Sequence, residues 1–211
     1  MKIFTFKNRE EWLVWRDSGT GASDAASIMG CGWTSKENFF AQKMGWKMPT
    51  PPNQAMKIGL EKEAEARAWY EKEKGIKMPP LFAAHDRFYH ILASMDDYNH
   101  EMKCPLEIKV PSSEKSLSLR EIPKMYQWQC AQILLVTGDE QMDFCNYDWR
   151  RGKGIIIPFF LDKRMESTLL LALIDFWNAI KKGDPLPKTK KSQFKELSFQ
   201  EKLKIVQGGK I

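Results

Sequence analysis

Five consecutive residues, Leu106-Glu107-Ile108-Lys109-Val110, limit what this chain folds into more than any other stretch. In an extended strand, side chains alternate faces. Leu106, Ile108 and Val110 therefore enter a core together, while Glu107 and Lys109 share the opposite face, about 6.5–7 Å apart along the strand. Standing alone, such a pair is more often an ordinary solvated edge. It does not stand alone, because strand formers also fill the run from Arg87 to Asp96. The connection from Asp97 to Lys103 is short enough for an antiparallel hairpin. With the turn centred near Glu101 and Met102, Asp96 falls opposite Glu107, where cross-strand neighbours sit about 4.5–5.5 Å apart.

Two carboxylates so close repel each other unless a cation lies between them. Oxygen ligands suit a hard ion such as magnesium, which keeps several waters and needs few protein carboxylates. Helical spacing adds a third acid. Of Glu61, Glu63 and Glu65, only Glu63 shares a stripe with Met56, Gly59, Leu60, Ala66 and Tyr70, the side expected to face the sheet. Glu61 and Glu65 read as an ordinary solvated face. One or two magnesium ions at Asp96 and Glu107 lower the pKa of bound water and polarise a phosphate. Lys109 is placed to orient or deprotonate that water and to balance the charge that builds up, and Glu63 to hold a second ion or its water shell.

Start and stop signals supply the frame. Asn8 with Glu11 predicts a capped helix carrying Trp12, Trp15 and Arg16. After the small-residue loop Ser18 to Ser23, Ser23 is expected to cap a short helix from Asp24 to Met29, closed by Gly30. Further helices are predicted from Ser35 to Met44, from Asn53 to Lys74, from Pro123 to Val136 and from Asp162 to Lys182, each followed closely by a glycine. Strands are predicted at Met142–Tyr147 and Gly154–Leu161. The order of helices, a central strand block and more helices gives an α/β domain over residues 1–187. A basic C-terminal tail follows over 188–211, with a short helix around Ser198–Val206.

Composition narrows the class further. The net charge of +6 favours a polyanionic partner without proving one. Cys31, Cys104, Cys130 and Cys145 show no C-x-x-C spacing, which argues against a zinc knuckle, an iron–sulfur cluster or a disulfide framework and for reduced, mostly buried thiols. His85, His90 and His100 match no metal-binding helix. The first residues turn polar at once, unlike a signal peptide, and no apolar run reaches the roughly 18–20 residues of a membrane span. A cytoplasmic protein is the expectation.

An ordered series of motifs over roughly residues 10–185 resembles the lambda-exonuclease/YqaJ-type viral recombinases, within the PD-(D/E)XK nuclease superfamily. The series starts with Trp15-Arg16 and, seven residues beyond the arginine, Ser23 in Ala22-Ser23-Asp24. It continues with Lys43-Met44-Gly45, with Gly59-Leu60-Glu61-Lys62-Glu63 followed by Ala66-Arg67 and Tyr70, and with Ala93-Ser94-Met95-Asp96. It closes with Glu107-Ile108-Lys109 and with Tyr126-Gln127-Trp128-Gln129, Val136-Thr137-Gly138 ending that helix. The family usually has glycine after the aspartate, whereas this chain has Asp97, which makes Asp97 a reserve candidate for the ligand.

The resemblance implies a restriction-endonuclease-like core, a mixed central β-sheet flanked by helices. It implies magnesium, replaceable by manganese, on Asp96, Glu107 and the Ile108 carbonyl, with Lys109 and Glu63 assisting the water. It also implies that Arg16, with Ser23 nearby, holds the 5′-phosphate of a DNA end and that Gln129 supports the site. A guanidinium suits that task because it grips phosphate through two parallel hydrogen bonds. The implied activity is 5′-to-3′ digestion of linear duplex DNA by a ring-shaped homotrimer of phage or prophage origin in a bacterial host. The resulting 3′ overhang would serve a single-strand annealing protein in recombination. Two other readings remain open: another PD-(D/E)XK nuclease, endonuclease or RecB-like, and a non-catalytic DNA-end-binding protein.

Overall fold

Asp96 divides the strand content of this molecule in two. The computed structural model describes residues 1–112 and 120–183, and in it the chain bends at Asp96 as it leaves one hydrogen-bonded sheet and enters another. The first sheet is antiparallel and joins β1 (Lys2–Phe4), β2 (Leu81–Ala84) and β3 (Leu92–Met95) in that order. The second joins β4 (Asp97–Asn99), β5 (Cys104–Lys109), β6 (Gln141–Asp148) and β7 (Lys153–Phe160). This second sheet is mixed: β5 and β6 run parallel, and the β4–β5 and β6–β7 pairs are antiparallel. The expected single sheet is thus two ladders joined through one bent residue, and the strand expected to begin at Arg87 begins at Leu92.

The expected hairpin register holds. Asp97 lies opposite Leu106, Tyr98 opposite Pro105 and Asn99 opposite Cys104, which sets Asp96 across from Glu107. Asn99 stabilises the turn by accepting the Met102 N–H at 2.8 Å. Strands β1 and β2 were not foreseen; at three and four residues they are too short for alternation to mark them.

The helices follow their caps. Helix α1 (Arg9–Asp17) starts where Asn8 accepts the Glu11 N–H, and α3 (Lys36–Lys43) where Ser35 accepts the Asn38 N–H. Asn53 opens α4 (Gln54–Lys74) and Asp162 opens α6 (Lys163–Lys182) in the same way. Gly75, Gly138 and Gly183 end α4, α5 (Lys124–Thr137) and α6 with positive φ. Between α1 and α3 the structure differs from expectation: a 3-10 turn, Ala22–Asp24, leads into the short α2 (Ala25–Ile28). The capping contact there comes from the Asp24 carboxylate, which accepts the Gly21 N–H at 2.8 Å, and Ser23 is left free for another partner.

Helix α5 is the buried centre, with every residue from Gln129 to Val136 buried, between the strands and α2 and α6. Gln132 ties it down by donating to the carbonyls of Thr20 at 2.7 Å and Leu92 at 2.9 Å. A second cluster packs Ala66, Trp69 and Tyr70 of α4 against Leu106, Ile108, Cys145 and Tyr147. The inward stripe of α4 is therefore confined to its later turns, because Met56 and Leu60 are 60% and 76% exposed. All four cysteines are free, and three of them are buried. Among the described residues no helix is long and apolar enough to cross a membrane. The expected domain end at 187, the basic tail and its short helix lie outside the described residues.

Candidate active site

A cavity of about 480 Å³ opens where the bend at Asp96 meets α1, α4 and α5. Glu63, Asp96, Glu107, Lys109 and Gln129 line it, and so do Arg16 and Ser23, together with Trp12, Trp15, Arg67 and Ser94. Of the ligand candidates singled out in the sequence, Ile108 and the reserve candidate Asp97 are missing from the lining. Ile108 is buried between Glu107 and Lys109, and its N–H donates to Asp96 Oδ2 at 2.7 Å.

The acidic wall is built into the core. Glu107 is 3% exposed, with the apolar side chains of Leu106 and Ile108 on the other face of its strand. Its carboxylate pairs with the Lys109 ammonium, whose nitrogen also sits 5.2 Å from the centre of the Tyr126 ring. Burial works against the charge of Lys109, but Glu107 and Asp96 outweigh it and hold the amine above its ordinary pKa. Burial first, and then Glu107, push the Asp96 carboxyl well above the usual carboxylate range. A cation between these neighbouring carboxyl groups would relieve the crowding of negative charge.

Asp97 is directed elsewhere. It is wholly buried, does not line the cavity, and lies 3.2 Å from Nε of Arg67. Strand alternation accounts for this, since adjacent residues face opposite sides. Arg67 also donates to Glu63 Oε1 at 3.2 Å and to the Asp96 carbonyl at 3.1 Å. The sequence marked Arg67 only as part of a motif; the periodicity of α4 held no signal for what it touches.

The opposite wall is built differently. Helix α1 buries none of its residues fully and is held to the first sheet by aromatic contacts of Trp15 with Phe4, Phe6 and Phe82. Arg16 Nη2 donates to Ser23 Oγ at 2.7 Å, and its guanidinium carbon lies 5.2 Å from the centre of the Trp12 ring. The loop carrying Ser23 is stitched to the strand block, with Thr20 N–H donating to the His90 carbonyl at 2.7 Å and Leu92 N–H to the Thr20 carbonyl at 2.9 Å. Gly19 permits that approach, because a Cβ there would stand 2.3 Å from the His90 carbonyl oxygen. Lys43, one of the motif residues, reaches back to Asp17 at the end of α1, 3.1 Å away.

Among the described residues no three His, Cys, Asp or Glu side chains form a ready-made metal cluster. Glu63 is turned toward Arg67, and Glu107 toward Lys109. Asp96 with Glu107 is nonetheless a donor set that fits magnesium, which binds through one or two carboxylates and keeps its waters.

Two sheets joined at a bent aspartate, with a strand carrying Glu107 and Lys109 across from it, define a fold of the PD-(D/E)XK type. An alkaline exonuclease, LHK-Exo, from Laribacter hongkongensis shares it with a TM-score of 0.73, over 82% of this chain and 93% of that one, at 23% identity. A phage related exonuclease from Haemophilus somnus 129PT shares it with a TM-score of 0.59 at 11% identity, over 78% and 94% of the two chains. The chain belongs to the YqaJ-like viral recombinase family, whose domain model matches residues 11–140. The uncharacterized protein YqaJ of Bacillus subtilis (strain 168) is 27% identical over 183 residues, 81% of this chain. The chain spans 56% of the length of that relative.

Proposed function

We propose that this protein is a magnesium-dependent exonuclease that digests linear double-stranded DNA 5′ to 3′ and leaves 3′ single-stranded overhangs. The observation that carries this reading is the convergence in one cavity of Asp96, Glu107, Lys109 and Glu63 on one wall with Arg16 and Ser23 on the other. The first wall suits phosphodiester hydrolysis and the second a terminal phosphate. Family membership and the fold of an alkaline exonuclease support the same reading.

Asp96 and Glu107 would hold magnesium, aided by the Ile108 carbonyl, and manganese would substitute. When bound, the ion supplies a more acidic water and a polarised phosphate. Lys109, kept cationic by its two carboxylate neighbours, stabilises the negative charge that grows on the phosphate oxygens as the P–O bond breaks. Glu63 orients the attacking water from α4. Arg16 grips the 5′-phosphate, with the Ser23 hydroxyl already aligned on its guanidinium. Gln129 offers its side-chain amide to the wall from α5. In the same proposal the protein acts as a ring-shaped homotrimer, because a closed ring around DNA stays on its substrate and attracts the backbone without reading sequence. The overhang goes to a single-strand annealing protein in phage-type recombination.

Strand-labelled linear duplex tests reaction, polarity and cofactor together. The expected result is loss of label from the 5′ end, dependence on magnesium, and survival of covalently closed circles. Cleavage of closed circles would replace the exonuclease reading with an endonuclease. Duplex ends left intact with every divalent cation would leave an end-binding protein in its place.

A further inference from the structure

We infer that Arg67 is a positioning residue for this site and that Asp97 is the counter-ion that seats it, an inference resting on the metal-dependent reading above. One guanidinium reaches three acidic or carbonyl groups. Its Nη2 donates to Glu63 Oε1 at 3.2 Å and to the Asp96 carbonyl at 3.1 Å, and its Nε lies 3.2 Å from Asp97 Oδ2. Glu63 stands one turn earlier on α4, while Asp96 and Asp97 are the bend and the first residue of β4. A single side chain therefore locks the helix that carries one acid to the bend that carries another.

The contact with the Asp96 carbonyl fixes the backbone at the point where the chain leaves β3. That point decides where the Asp96 carboxylate is aimed, because both neighbouring strands already have their hydrogen-bonded partners. The carboxylate side of the same residue is held separately, by the Ile108 N–H at 2.7 Å. Asp96 is thus gripped at both ends, and Arg67 supplies one of the two grips.

Asp97 has no access to solvent, and neither of its oxygens receives a directed hydrogen bond. The Nε–Oδ2 approach is close enough for an ion pair, yet Nε has no aligned acceptor. Burial pushes the Asp97 carboxyl up to about 7 against the downward pull of the nearby Arg67 guanidinium, so Asp97 seats Arg67 by close approach rather than by bond direction. The directed bonds of the guanidinium stay available for Glu63 and the Asp96 carbonyl. Lysine carries its three donors on one nitrogen, so it lacks the planar fork that places Nε and Nη2 toward these separate partners. Groups that orient a metal ligand without touching the metal typically change metal affinity or activity about 10–100-fold when replaced.

The test is manganese binding to the DNA-free protein, read from the paramagnetic resonance signal of free Mn2+, for wild type, Arg67→Lys, Asp97→Asn and Glu107→Gln. Thermal unfolding and DNA-end binding in calcium are measured alongside. Arg67→Lys is expected to weaken manganese binding about tenfold or more, with cooperative unfolding and DNA binding retained. Asp97→Asn is expected to weaken it less, in the same direction, and it carries the test should Arg67→Lys fail to fold. Manganese affinity that falls with Glu107→Gln but is indifferent to Arg67→Lys overturns this inference alone. Affinity untouched by Glu107→Gln overturns the site reading and the inference with it.

Discussion

The two walls of the cavity are held by different forces. Glu107, Lys109 and Asp96 belong to strands or to the bend between them, and behind them lie Leu106, Ile108 and Met95, all buried. Arg16 and Ser23 belong to a helix with no fully buried residue and to a 3-10 turn, attached by ring contacts, backbone hydrogen bonds and side-chain bonds from Trp12 to Ser94, from Gln132 to the Thr20 carbonyl and from Lys43 to Asp17. Groups proposed to meet a metal and a reacting phosphate sit on the wall backed by the core, where interior packing leaves little freedom. The group proposed to hold a chain end sits on α1, which buries none of its residues fully. Chemistry and grip should therefore separate when each wall is perturbed alone.

The largest effect is expected from Lys109→Ala, which removes the only cation paired with Glu107 among the described ion pairs. Digestion of linear duplex should fall by about 10²–10³-fold or more, while end binding in calcium persists. Turnover at the wild-type rate would show that the rigid wall does not perform the chemistry. Arg16→Ala comes next. It should shorten the tract digested per binding event by about tenfold, the worth of one charge-assisted contact of roughly 1.5 kcal/mol. The loss should appear on 5′-phosphorylated ends and be much smaller on 5′-hydroxyl ends. Equal losses on both would remove the phosphate grip from the second wall.

Gly19→Ala is expected to have the smallest effect and the sharpest location. The new methyl group meets the His90 carbonyl and the Leu92 side chain, so the loop must shift at a cost of about 1–3 kcal/mol in stability. Because that loop carries Ser23, discrimination between phosphate and hydroxyl ends should weaken while manganese affinity holds. A fall in manganese affinity as large as that from Glu107→Gln would show that the two walls are one mechanical unit.

Much of the rigid wall was legible because its signals are local. Alternation around Ile108 sets the faces of β5, and the connection between Asp97 and Lys103 centres the turn, so the pairing of Asp96 with Glu107 follows from counting. Caps at Asn8, Ser35, Asn53 and Asp162 mark helix starts to within a residue, because the side chain that satisfies each orphan N–H lies within the same few residues. The second wall was legible only as a resemblance. Nothing within seven residues of sequence says that Arg16 meets Ser23; that meeting depends on Thr20 docking beside Ile91.

Sequence alone determined where the longer helices begin and end, which face of β5 is apolar and which acids stand opposite each other in the hairpin, since all of these depend on near neighbours and on fixed backbone periods. Tertiary structure decided the rest. It split the strands into two sheets at Asp96, left Met56 and Leu60 exposed on the stripe expected to turn inward, released Ser23 from capping and brought Arg67 to Asp97. Each of these outcomes turns on which distant surface arrives at a residue, and local backbone preference holds no information about that arrival.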